Sequence, residues 1–526
     1  MINSIKEKKA GKIVLEIIFV LFIFSIFSVI LFGYYGTAQK VEKENPRLIK
    51  IDYQQLQKEA EAIGSPNMRI NETAKNVFVL NYHLVTKDAP KDQYEISYEQ
   101  FKENMFALKS QGYQTVSLQD FYLFMKGEKQ LPDKSFVLTF DDGAKASYYN
   151  VDPILQALDY NAVMFVVTSY SLEEPERAYY LNESELIAME KTGRWEIESH
   201  TYRSHSRLPI GPLNETGPAF TNKLWISNES RLETDQEYYT RIEQDLVISK
   251  RQLEESLNKS VIGFALAFGD FGERQSNYPA AHEVLYNLTT KYYPLIFYQF
   301  KPTKNRDYRA NYNDLKEDSY LIVRLSVDNV RTPDELLKEI EASRISNLPY
   351  FEDYSNDDKW PRISGSATFE NDAIILKDSP EGKQETNLMA YLDGSYLWKD
   401  YFYGIRLKNS EAKTVMLLSR YKSSVDYTAC SFSPGAVRII NFNDSDKTLI
   451  KDAKLLENET LTNGTILSMS VEDSNVSCYI NGRRAINSEV PEMSPHGGVG
   501  VKAEGFDEPN KTFAFGDIFI TEQNLQ

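Results

Sequence analysis

Apolar and polar positions along the chain fall into three textures. Residues 13–35, IVLEIIFVLFIFSIFSVILFGYY, are apolar almost throughout. A helix needs about 20 such residues to cross a bilayer. From residue 77 to about 355, short apolar runs of strand length alternate with amphipathic stretches. The runs include VFVLNYHLV (77–85), SFVLTF (135–140), AVMFVVTSY (162–170), RWEIESH (194–200), VIGFALAF (261–268), IFYQF (296–300) and YLIVRLSV (320–327). Helix signals lie between them. Ser97 and Gln100 form a capping box ahead of Phe101, Met105 and Leu108, and Thr234 and Glu237 form another ahead of Ile242, Leu246, Leu253 and Leu257. Thr332 and Pro333 open a third helix. Buried strands alternating with helices predict a parallel sheet or an α/β barrel.

After about residue 355 the helical period fades. Short β-type runs such as YFYGIRLK, TVMLLSRY, VSCYINGRRA and TFAFGDIFI take over, and Asn481-Gly482 between two of them signals a hairpin. That pattern predicts a β-sandwich. The expected organisation is therefore a tail (1–12), a transmembrane anchor (13–35), a stalk (36–75), an α/β domain (76–355) and an all-β domain (363–526). Residues 206–232 read as a long irregular connection.

Charge fixes the orientation of the anchor. Lys6, Lys8, Lys9 and Lys12 precede the apolar run, so the N-terminus stays in the cytoplasm and everything after residue 35 lies outside. A cleaved signal peptide ending near Gly36-Thr37-Ala38 is the rival; the length of the run favours an uncleaved anchor. Net charge of −17 argues against nucleic acid as a partner. Tyr (34) outnumbers Phe (28), which suits sugar-facing surfaces because tyrosine joins an apolar face to a polar tip. Cys430 and Cys478 are the two cysteines. A disulfide between them and two free buried thiols both fit.

Chemistry gathers at two strand ends. SFVLTFDDG (135–143) runs a core strand into adjacent carboxylates, Asp141 and Asp142. A turn alone would explain them. Two of the five histidines, however, fall in SHTYRSH (199–205), at the end of another predicted strand. Catalytic residues of α/β barrels collect at such ends. Two imidazoles and one carboxylate suit zinc or another borderline divalent ion. Successive strand residues face opposite ways, so one aspartate can bind the ion while its neighbour accepts a proton from the water that the ion activates.

TFDDG followed by SHTYRSH resembles the first two motifs of the NodB-type polysaccharide deacetylases, carbohydrate esterase family four. The resemblance runs from about residue 79 to 327. VLNYHLV, FKENMFALKSQGYQTVSLQDF, GRWEIESHTY and RIEQDLVISK bring it nearest the PgaB/IcaB-like branch, which de-N-acetylates poly-β-1,6-N-acetylglucosamine at the cell surface. It implies a distorted (β/α)-barrel, with Asp141 as general base and Asp142, His200 and His205 as ligands of zinc, cobalt, nickel or iron. The backbone N–H of Phe268, in LAFGDFG (266–272), takes the place of the family's oxyanion donor. Leu266 and Ala267 depart from the aromatic and proline usual there. VRLSV places Arg324 where many relatives carry a general-acid histidine. His83 is then a candidate acid, equally readable as a structural histidine, and Arg324 a candidate substrate-binding residue. His282 reads as an exposed helix residue.

The residues beyond 363 resemble a concanavalin/laminin-G-type jelly roll, where Tyr396 or Trp398 could stack on sugar if exposed. The expected partners are an extracellular N-acetylated polysaccharide, the membrane through residues 13–35, and exopolysaccharide synthesis or export machinery. A peptidoglycan or O-acetyl wall-polymer deacetylase, and a surface glycan-binding protein with lost catalysis, are the alternatives.

Overall fold

The computed structural model describes residues 48–523 apart from 65–72, 88, 175–176, 271, 273–275, 301–310, 313–320, 328–329, 331, 355–358, 371, 378–386, 444–445, 456–460, 492 and 507–511. The expected tail, anchor and half of the stalk lie outside the described residues. No helix among those described is long and apolar enough to cross a membrane.

Seven parallel strands close a barrel. They are β1 (Asn76–Tyr82), β3 (Ser135–Phe140), β4 (Ala162–Val166), β5 (Trp195–Ser199), β6 (Gly263–Ala265), β7 (Leu295–Phe300) and β8 (Leu321–Ser326). They pair in chain order, and β1 joins both β3 and β8 to complete the ring. A short strand, β2 (Gln114–Thr115), flanks β3, and Asn311–Tyr312 runs antiparallel to β1.

Side-chain alternation divides each strand between two cores. Phe136, Leu138 and Phe140 pack outward in one cluster with Phe101, Met105, Ile242, Leu246 and other side chains of the surrounding helices. Val79, Val137, Phe165, Ala265, Phe297 and Ile322 pack inward. The helix α2 (Leu118–Met125) adds Leu118, Phe121, Phe124 and Met125 to the inner cluster. Two residues further along, the inward series turns polar: Asn81 follows Val79, Thr139 follows Val137, Gln299 follows Phe297, and Arg324 follows Ile322. All four are buried. The barrel is thus apolar at the N-terminal ends of its strands and polar at their C-terminal ends.

Both predicted capping boxes are present, with Ser97 opening α1 (Tyr98–Ser110) and Thr234 opening α3 (Asp235–Leu257). Thr332, read as the start of α4 (Pro333–Ser343), forms a further capping box with Glu335. Three expectations change. The strand from 162 stops at Val166 and gives way to a π-helical turn, Ser169–Glu173. The strand from 261 shrinks to Gly263–Ala265, because the chain turns at Phe268 with φ of 58°. The connection 206–232 holds two short hairpins, Arg207–Pro209 with Thr216–Pro218 and Trp225–Ile226 with Arg231–Leu232.

The C-terminal region consists of two antiparallel sheets, one of eight and one of seven strands. The eight-stranded sheet begins at Tyr350–Phe351, ahead of residue 363 where the all-β domain was expected to start, pairing with Thr512–Glu522. Asn481 and Gly482 turn with φ of 47° and 80°, the left-handed pair that a two-residue hairpin requires. Trp398 is buried, its indole Nε1 donating to Ser346 O at 2.9 Å. It is therefore unavailable as a sugar platform, and Tyr396 is half-buried. Cys430 and Cys478, one on each sheet, form a disulfide buried in their shared core.

Their sequence separation is 48 residues. Cross-linking a loop of that size typically stabilises by about 2–4 kcal/mol. Replacing both cysteines with alanine should lower the thermal midpoint of the β-rich region, and reductant should shift the wild type but leave the variant unmoved. Calorimetry with and without reductant checks this.

Candidate active site

Asp141 follows β3 directly and is 2% exposed. Burying a carboxylate raises its pKa, but the Arg324 guanidinium overrides that and holds Asp141 well below the usual carboxylate range. Arg324 Nη1 donates to Oδ1 at 2.6 Å and Nη2 to Oδ2 at 2.8 Å. Nη1 also donates to Asn81 Oδ1 at 3.0 Å, and Asn81 Nδ2 donates to Asp141 Oδ2 at 3.3 Å. The Thr139 hydroxyl donates to Leu80 O at 2.8 Å. The sequence offered Arg324 as a substrate-binding residue. It is instead fully buried and engaged with Asp141, so its task is to hold that carboxylate.

Asp142, His200 and His205 come together, with one potential ligand atom from each lying within 4.8 Å of the others. His200 is buried; its Nδ1 bonds Ala265 O at 2.8 Å. Since a carbonyl only accepts, Nδ1 carries the proton and Nε2 is left as a lone-pair donor. Burial lowers the His200 pKa to about 4, which keeps the ring neutral. His200 Nε2 and His205 Nε2 lie 3.6 and 3.4 Å from Asp142 Oδ1. Two neutral-capable imidazoles and a carboxylate on one opening are a donor set that fits a divalent ion.

The backbone is bent to make this cluster. Asp142 has φ of 72° and Gly143 75°. A Cβ on Gly143 would sit 3.0 Å from Val166 Cγ1. Thr201 has φ of 79°, a costly conformation for a β-branched residue, at the point where the chain turns from His200 toward His205. That turn is clamped from α3. Asp245 accepts from Tyr202 N (2.9 Å), Arg203 N (2.8 Å), Ser204 N (2.9 Å) and Ser204 Oγ (2.9 Å). Asp245 escaped sequence reasoning, although a signal existed. It is a charged residue on the same buried face of α3 as Ile242, Leu246 and Ser249.

Phe268 stacks its ring on His205, centroids 4.7 Å apart and planes 16° off parallel, and is 40% exposed. Gly269 beside it lies against Gln299, whose Cβ would be 2.3 Å from an added Cβ. His83 Nε2 lies 3.8 Å from Asp141 Oδ2 and 3.5 Å from Gln299 Nε2, and its ring meets Tyr94 edge-on. His282 is exposed on its helix, and His496 sits in the β-rich region. Of the sequence-derived residues, His83, Asp141, Asp142, His200, His205, Phe268 and Arg324 thus gather at one barrel mouth.

Residues 128–286 match the family model described as "Polysaccharide deacetylase". The chain carries a polysaccharide deacetylase domain. Over 208 residues the chain is 28% identical to a poly-β-1,6-N-acetyl-D-glucosamine N-deacetylase of Escherichia coli K12, covering 37% of this chain and 31% of that protein. Over 224 residues it is 28% identical to the enzyme of that name from Staphylococcus aureus MRSA252, covering 40% of this chain and 70% of that protein. Among solved structures, a de-N-acetylase from Aggregatibacter actinomycetemcomitans aligns with TM-score 0.41 and 24% identity, over 48% of this chain and 94% of that one.

Within the deacetylase domain, removing one partner of a buried pair leaves an unpaired charge and costs about 3–5 kcal/mol. Arg324→Met should destabilise the domain by roughly that amount, and Asp141→Asn with Arg324→Met by less, as read from urea unfolding. A carboxylate whose folded pKa is depressed contributes stability above its unfolded pKa, near 3.9, and loses it as pH falls below that value. The gap in stability between wild type and Arg324→Met should therefore be full above about pH 4 and narrow as pH falls below it, as read from urea unfolding across that range.

Proposed function

We propose that the protein de-N-acetylates an extracellular N-acetylhexosamine polysaccharide of the poly-β-1,6-N-acetylglucosamine kind. The observation that carries this reading is the juxtaposition of a ligand triad, Asp142, His200 and His205, with the ionised Asp141 one residue away. The names of the relatives that this chain resembles add support. The chain spans 31% of the E. coli relative's length, so substrate and setting belong to the proposal.

A divalent ion bound by the triad would supply Lewis acidity for the acetamide carbonyl and for water. Zinc suits the donor set first, with cobalt, nickel or iron as alternatives. Asp141 takes a proton from the attacking water. The Phe268 N–H is assigned to the oxygen on which negative charge develops. His83, beside Asp141, is assigned to protonate the departing nitrogen as the C–N bond breaks. Acetate leaves with the water oxygen, and the amine stays on the sugar. Each turnover therefore adds a positive charge to the polymer.

Residues 13–35 would anchor the enzyme as a single-pass membrane protein facing outward, beside the machinery that makes or exports the polymer. The C-terminal sheets are read as a concanavalin/laminin-G-like sandwich accompanying the enzyme.

The test is acetate release from poly-β-1,6-N-acetylglucosamine by the full-length chain in detergent, with peptidoglycan as the comparison substrate. Release should stop on chelation and return with one equivalent of zinc, cobalt or nickel. Asp141→Asn and His200→Ala should each lower it by roughly a hundredfold or more. Metal binding at the triad without release from either polymer would favour a glycan-binding protein, which the altered Leu266-Ala267 wall and the absence of a late histidine would suit.

A further inference from the structure

The loop after β4 is wedged between the Asp141-Asp142 turn that follows β3 and the histidine loop that follows β5, because β4 pairs with both strands. It carries Tyr170, Tyr179 and Tyr180. Tyr170 and Tyr180 lie with ring centroids 4.8 Å apart, and Tyr179 meets Tyr180 at 4.8 Å with planes at 78°. The Arg177 guanidinium covers Tyr170, its Cζ 4.3 Å from the ring centroid, and is paired with Glu174. The Tyr170 hydroxyl is 3.0 Å from Ser206 Oγ, next to His205.

This group is fixed to the triad by backbone bonds. Lys145 N donates to Tyr179 O at 2.9 Å, Leu181 N donates to Gly143 O at 2.9 Å, and Tyr180 bridges Ala144. Residues 179–181 are therefore zipped to 143–145, immediately behind Asp142. Tyr180 is half-buried and Tyr179 is exposed. Among the exposed large apolar side chains of the described residues, Phe268 and Tyr94 contact His205 and His83 at this mouth, and Tyr179 lies on the segment bonded to residues 143–145.

Exposed aromatic rings cost solvation unless something covers them, and grouped tyrosines offer apolar faces together with hydroxyl tips. A hexopyranose ring presents the same combination of C–H faces and hydroxyl rims. The acetamide under attack must sit at the triad, so the surface next to Asp142 faces an adjoining sugar of the same chain. We propose that Tyr179, backed by Tyr180 and Tyr170, is a stacking subsite for the sugar residue next to the one deacetylated, which makes recognition depend on chain length. This deepens the deacetylase reading and rests on it only for which sugar lies at the triad.

The test measures binding of β-1,6-linked N-acetylglucosamine oligomers, from one to five sugars, to the full-length chain carrying Asp141→Asn so that no oligomer is consumed. Adding Tyr179→Ala should raise Kd for the pentasaccharide roughly tenfold, by analogy with the energy of an aromatic contact. The loss should be smaller for the disaccharide and smallest for the monosaccharide. Tyr179→Phe, which keeps the face, should stay within about twofold. An equal loss at every length, or none at the pentasaccharide, would overturn the subsite. Acetate release by the wild type from the same pentasaccharide is scored separately. Binding that depends on Tyr179 without any release overturns the deacetylase reading and leaves the subsite standing. Release with binding indifferent to Tyr179 does the reverse.

Discussion

The buried pair of Asp141 and Arg324 is the constraint around which the barrel mouth is arranged. Taking two charges out of water costs several kcal/mol for each, and their attraction repays this only with good geometry and extra hydrogen bonds. Both conditions hold: the contact is bidentate, and Asn81 bonds to both partners. The three residues come from β8, β1 and the end of β3, and β1 is the strand that closes the ring by pairing with its two neighbours. The closure of the barrel and the aim of the Asp141 carboxylate are therefore one piece of structure.

Placement of the other groups follows from that anchor and from strand ends. Asp142 is reached by one left-handed residue beyond Asp141, so the ionised carboxylate and the ligand carboxylate diverge without leaving the strand end. The histidine loop is less well supported by its own strand, since it must pass through a left-handed Thr201. Asp245 compensates by gathering three backbone N–H groups and one hydroxyl from residues 202–204. A carboxylate that satisfies four donors at once restricts the loop more than packing alone would, and the buried Ser204 N–H and hydroxyl would otherwise lose their partner.

Much of this was legible in the sequence, and what was missed has a physical cause. Helix starts were readable because capping is local chemistry, and each of the three capping boxes depends on residues three apart. The Asn481-Gly482 hairpin was readable for the same reason. The strand from 261 was read too long because LAF is apolar at every position, and nothing local announces that Phe268 must turn to make room for Gln299 against Gly269. Arg324 was misassigned because its partner lies 183 residues away. The cysteine pairing was open because it depends on two sheets meeting face to face. Motif residues gathered as a group because strand ends of a parallel barrel share one mouth; interactions between strands far apart in the chain stayed hidden.

The same anchor bears on how protons would travel in the proposed reaction. A carboxylate gripped by a guanidinium is a weak base, which at first looks unsuited to deprotonating water. On the proposed mechanism the weakness has a use. A proton taken by Asp141 is poorly held there, since protonation would break a charge-assisted bidentate contact in a buried setting. His83 Nε2, 3.8 Å from Asp141 Oδ2, is the nearest described imidazole outside the ligand triad. Passing the proton from Asp141 through His83 to the departing nitrogen would restore the Asp141–Arg324 contact before the next turnover. A more strongly basic carboxylate would capture the proton and retain it. On the proposed mechanism, the pairing with Arg324 would tune Asp141 toward transfer over storage.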